Sequence, residues 1–105
     1  MVHHLTLFKL RPEVTEEELE VMIRTCRSQL LRIPEVLQLR SGRNVDLGSP
    51  WTFFVAKDFE SLDKLAMFLK DPLYQRFREE VLRPNTKERL DLRFESDPAK
   101  NLPLP

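Results

Sequence analysis

Val2-His3-His4-Leu5-Thr6-Leu7-Phe8-Lys9-Leu10 is apolar on both of its faces. Side chains alternate along an extended chain. Val2, His4, Thr6, Phe8 and Leu10 therefore project to one side and His3, Leu5, Leu7 and Lys9 to the other. Neither set is a solvent face. Such a strand belongs in the middle of a sheet covered on both sides, with His4 as the titratable group it aims inward.

Working outward, Thr15 and Glu18 form a capping box that opens a helix. Leu19, Met22, Ile23, Cys26, Leu30 and Ile33 recur at helical spacing, and Pro34 stops the run. Val36 to Val45 reads as a second strand with one polar face, which suits a sheet edge. Turn chemistry at Asp46-Leu47-Gly48-Ser49-Pro50 leads into a third strand, Trp51 to Phe59, apolar on both faces and so central. Ser61 caps a second helix with Leu62, Leu65, Ala66 and Leu69, and Asp71-Pro72 restarts it. The continuation buries Leu73 or Tyr74, Phe77 and Val81. Arg89 to Glu95 alternates three apolar side chains with four charged ones, an edge strand with one buried face.

The order β-α-β-β-α-β predicts an α+β, ferredoxin-like fold with a four-stranded antiparallel sheet in the order 4-1-3-2. Two helices cover only one face of that sheet. The other would expose some of Leu5, Leu7, Phe54 and Ala56, a patch that soluble monomers seldom leave open. A homodimer joined through its sheet faces is expected. One domain should span residues 1–96, followed by an extended proline-containing tail, 97–105.

Lys plus Arg and Asp plus Glu both number 17, which removes the usual electrostatic reason to expect nucleic acid or an anionic membrane. No apolar run approaches the length of a membrane span, and a cytoplasmic location is expected. The single cysteine, Cys26, lies on the helical stripe and reads as a small core residue. Arg76, Arg78, Arg83, Lys87, Arg89 and Arg93 interleave with Glu79, Glu80, Glu88, Asp91 and Glu95, which reads as a solvated mixed face. There is no zinc-ligand spacing, phosphate loop or nucleophile elbow.

Taken together, His4-Leu5-Thr6-Leu7-Phe8-Lys9, Ile33-Pro34-Glu35-Val36, Gly42-Arg43-Asn44-Val45, Phe59-Glu60-Ser61 and Asp71-Pro72-Leu73-Tyr74-Gln75-Arg76-Phe77 resemble the stress-responsive dimeric α/β-barrel (Dabb) family. The resemblance implies a homodimer whose two sheets form a barrel. In some members it also implies a small pocket between sheet and helices, which here would be lined by Thr6, Phe8, Met22, Cys26, Val55 and Phe68. Family cyclases place a histidine at the position of His4 and two more in a His-Pro-x-His segment. Here that segment reads Asp71-Pro72-Leu73-Tyr74, so aspartate and tyrosine stand at both histidine positions. Some members hold magnesium with main-chain carbonyls that would fall on Leu30, Ile33 and Val36; no other cofactor is implied.

Two readings of function follow. In the first, the protein is a small-ligand-binding or structural module with no catalysis required, and His4 is a buried, hydrogen-bonded residue. In the second it is a cofactor-free cyclase or lyase acting on a phenolic or polyketide-like molecule, with His4 as general base and Tyr74 as hydrogen-bond donor. Both expect a small hydrophobic or phenolic ligand.

Overall fold

The computed structural model describes residues 1–97. Apart from Asp97, the expected tail lies outside the described residues. The elements are β1 (Val2–Leu10), α1 (Glu16–Leu30), β2 (Gln38–Arg43), β3 (Phe53–Phe59), α2 (Leu62–Lys70) and α3 (Pro72–Phe77). A π-helical turn, Arg78–Leu82, and a short turn, α4 (Arg83–Asn85), lead into β4 (Thr86–Glu95). The fold is ferredoxin-like, with an antiparallel sheet ordered β2-β3-β1-β4. The two strands that are apolar on both faces lie at the centre, as their composition requires.

Local chemistry sets most of the boundaries. The Thr15 hydroxyl accepts from the Glu18 N–H at 3.1 Å and the Glu18 carboxylate accepts from the Thr15 N–H at 3.2 Å, closing the capping box. Asp71 caps α3 through the Leu73 N–H at 2.8 Å, with Pro72 at the first helical position. The hairpin strands are shorter than their composition suggests. Asn44 donates to the Trp51 carbonyl at 2.9 Å and accepts from the Asp46 N–H at 2.8 Å, so the chain turns before Val45 and Trp51 can pair as strand.

The π-helical turn has a cause in Pro84. A proline ring clashes with the carbonyl four residues back and offers no N–H, and the wider turn immediately before it relieves that crowding. Its end is closed by side chains: Asn85 donates to the Val81 carbonyl at 2.8 Å and the Thr86 hydroxyl to that of Leu82 at 2.7 Å. These are carbonyls that a helix end leaves without partners.

The core lies between the helices and one face of the sheet. Phe8, Phe53, Phe59, Phe68, Phe77, Leu30, Ile33 and Leu65 are its large buried members. In β4, the apolar side chains lie on the opposite face from this core. Leu90 is paired with Leu7 and Leu92 with Leu5, on the face without helices, and Leu90 and Phe94 remain 41% and 56% exposed. The one buried face expected of β4 is therefore not buried within the protomer. Leu90, Leu92 and Phe94 extend the open patch of Leu5, Leu7 and Phe54, and the polar Gln38, Arg40, His3 and Asp58 border it.

Candidate functional site

The helix-facing side of the sheet carries an unusual set of polar residues. Antiparallel pairing puts His4 opposite Lys57 on β3 and Arg93 on β4, Thr6 opposite Val55 and Asp91, and Phe8 opposite Phe53 and Arg89. Residues directly opposite share a face. Two central strands and one edge strand thus bring one histidine, one carboxylate and three cations to the inner side of the sheet.

Asp91 is the hub. Its Oδ1 accepts from the Thr6 hydroxyl at 2.8 Å and Arg89 Nη2 at 2.8 Å, its Oδ2 accepts from Arg89 Nε at 2.9 Å, and His4 Nε2 lies 3.1 Å from Oδ1. Burial acts to raise the Asp91 pKa, but the hydrogen bonds from Arg89 and Thr6 outweigh it and hold the carboxyl at about 2. A carboxylate ionised at neutral pH can only accept, so His4 Nε2 carries the hydrogen. Burial, followed by the Lys57 ammonium, lowers the His4 pKa to about 4 against the pull of Asp91. The ring is therefore neutral at pH 7 and its Nδ1 holds a lone pair. That Nδ1 is buried and has no hydrogen-bond partner.

Lys57 is only 3% exposed, and burial lowers its pKa to about 8. Its ammonium lies 5.4 Å from the centroid of the Phe68 ring, a favourable cation–π position. Tyr74 is buried with its ring 4.6 Å from that of Phe68. Burial works against the charge on Arg89, and Asp91, followed by Tyr74, outweighs it. His4, Thr6 and Arg89 thus meet at Asp91, and Tyr74 acts on the same cluster through the charge of Arg89. Of the other expected pocket residues, Thr6, Cys26, Val55 and Phe68 pack in the core, and burial raises the Cys26 thiol to about 12. Phe8 and Met22, both buried, each line a separate surface recess.

The mixed-face reading of the last third of the chain hides the contribution of β4. Arg89, Asp91 and Arg93 alternate with Leu90 and Leu92, which places the three charges on the inner face. Lys57 has a clearer sequence signal: it stands between Val55 and Phe59 at period two, a charge on a buried face.

The Leu30 and Ile33 carbonyls accept turn hydrogen bonds from Ile33 N–H at 3.2 Å and Val36 N–H at 3.1 Å. Each keeps one lone pair, and between Ile33 and Val36 the chain carries Glu35, whose Oε2 is buried without a partner. Oxygen donors of this kind fit a hard cation. Among the described residues, no three His, Cys, Asp or Glu side chains are grouped to hold a metal.

The family model described as Stress responsive A/B Barrel Domain, Dabb, matches residues 2–95. The chain is a Dabb-family protein. No curated protein sequence matches it. A Dabb protein of Mesorhizobium loti superposes with a TM-score of 0.80 at 15% identity, covering 90% of this chain and 95% of that one. A dimeric ferredoxin-like protein of unknown function from Bacteroides fragilis gives 0.76 at 23% identity, covering 90% and 95%. The hydroxynitrile lyase of Passiflora edulis gives 0.77 at 16% identity, covering 97% and 96%. These likenesses establish the shared fold. Among the described residues, no Dabb helix here is long and apolar enough to cross a membrane.

Proposed function

We propose that the protein is a homodimeric α/β-barrel module that binds a small phenolic ligand through His4, with no catalysis required of it. The observation that carries this reading is the buried, unpartnered Nδ1 of His4. A buried acceptor left unmade costs about 1–3 kcal/mol, and a ligand hydroxyl admitted by movement of the side chains packed over His4 would recover that cost. With a pKa of about 4, the ring is a weak base at neutral pH, and general bases work best near the ambient pH. It suits hydrogen-bond acceptance better than proton removal. The open apolar face and the dimeric Bacteroides fragilis relative of this fold support assembly through the sheets.

One arrangement favours the second reading, a cofactor-free cyclase or lyase. Asp91 orients the His4 ring from Nε2, the role a third group plays in activating a base, and Tyr74 beside Arg89 would keep its hydroxyl hydrogen for a substrate. A relative of the same fold is a lyase. A magnesium ion, if bound, would be held by the carbonyls of Leu30, Ile33 and Val36 and would tie the end of α1 to the chain that follows.

The test uses 4-methylphenol as the probe, with the His4 ring nitrogens followed by NMR. Binding should move the Nδ1 resonance, and His4→Gln should weaken binding by about tenfold. Equal binding by the two proteins would remove His4 from the site. Turnover of a phenolic substrate that is lost in both His4→Gln and Tyr74→Phe would establish the second reading instead.

A further inference from the structure

A recess of about 300 Å³ opens between edge strand β4 and the π-helical turn, bounded by Phe8, Arg78, Leu82, Arg83, Thr86 and Arg89. That volume is at the lower end of the range for small-molecule sites. The π-helical turn explains how its arginines meet. Arg78 and Arg83 are five residues apart, which in an α-helix would turn them about 140° away from each other. Here the Arg83 N–H donates to the Arg78 carbonyl, and the wider turn brings both side chains to one wall. Arg89 comes from the sheet opposite.

The charges in the recess are incompletely matched. Glu79 contacts Arg78 at 3.4 Å and Arg83 at 3.3 Å, and Asp91 holds Arg89. Three guanidiniums against these two carboxylates leave one positive charge. Arg11, which donates to the Arg83 carbonyl at 3.4 Å, adds a further cation at the rim. Arg78 also carries a buried Nε with no hydrogen-bond partner, and buried donors are seldom left unpaired. Of the remaining walls, Phe8 and Leu82 are apolar, and the Thr86 hydroxyl is already turned to the Leu82 carbonyl.

We propose that this recess binds a small organic carboxylate: a monoanion with a flat apolar body. The surplus of positive charge matches an anion, and the planar guanidinium fork matches the two oxygens of a carboxylate. Phe8 and Leu82 take the apolar body.

Benzoate, benzamide and inorganic phosphate are the probes, each titrated into the full chain and followed through backbone amide resonances. Benzoate should produce saturable shifts centred on Leu82, Thr86 and Arg89, with benzamide and phosphate binding more weakly. Arg83→Gln, at an exposed position, and Arg78→Gln should each weaken benzoate about fivefold or more. Absence of saturable shifts with benzoate would overturn the proposal, as would equal binding of benzamide or unchanged affinity in Arg83→Gln. Tighter binding of phosphate than of benzoate would overturn the carboxylate assignment.

Discussion

Protonating His4 inside the fold places a cation beside the Lys57 ammonium in a buried setting, with Asp91 alone to offset it. The unfolded chain has no such penalty. Between the ordinary histidine pKa of 6.5 and the folded value of about 4, the unfolded state binds the extra proton, so stability falls as the pH drops through that window. The contribution is complete above pH 6.5 and amounts to at most about 3 kcal/mol. Urea unfolding at pH 7 and pH 4.5 should show the wild type losing more stability than His4→Gln; equal losses would mean that His4 titrates normally. Lys57 gives the complementary case. Its folded pKa of about 8 lies below the ordinary 10.5, so the stability that a neutral amine would allow is lost as the pH falls through 8. At pH 7 the buried ammonium is a net cost. Lys57→Met should therefore stabilise the protein by about 1–3 kcal/mol at pH 7, with the advantage shrinking as the pH approaches 10. A destabilised variant would show that the surrounding network repays the charge.

At the scale of elements, α1 depends on its first turn. Thr15→Ala removes the acceptor for the Glu18 N–H and leaves half of the capping box, and should cost about 1 kcal/mol in thermal or urea unfolding. An unchanged midpoint would mean that solvent satisfies the helix end equally well. This cap, like the Asp71-Pro72 restart, was readable directly because capping needs only neighbours in sequence. So was the central placement of β1 and β3, since two-sided apolarity fits nowhere else in a sheet. β4 was only half readable. Strict alternation separated Leu90, Leu92 and Phe94 from Arg89, Asp91 and Arg93, but alternation cannot say which set turns toward the helices. Here the charged set does, and that inverts the usual expectation for a single protomer. The site followed the same pattern. His4 and Tyr74 stood out in the sequence, whereas Asp91 and Arg89 joined them only through the pairing of β1 with β4. The π-helical turn had no sequence signature beyond Pro84, which marks a helix's end without fixing the form of its last turns.

For the whole molecule, one sheet face is covered by helices and the other is apolar at its centre and polar at its border. That distribution resembles an interface with a dry core and a wet rim. Light scattering on a sizing column should give the mass of a dimer, and Leu90→Lys should give a monomer, because it buries an unpaired ammonium within the patch. A monomeric wild type at micromolar concentration would refute the sheet-to-sheet assembly. Because dimerisation stabilises the folded state by mass action, the melting temperature of the wild type should also rise with protein concentration, and that of Leu90→Lys should not.

The ends of the described domain are tied together: the Met1 amine donates to the Ser96 carbonyl at 2.8 Å, and the Ser96 N–H to that of Met1 at 2.8 Å. The loop between β2 and β3 stands out from the surface by comparison, with Val45 93% and Leu47 96% exposed. The domain is thus close to a closed loop in space, and the point at which its polypeptide starts is a matter of connectivity more than of packing. A circular permutant that joins Ser96 to Met1 through a short linker and opens at Leu47-Gly48 should keep the same sheet, with β1 and β4 now forming a hairpin.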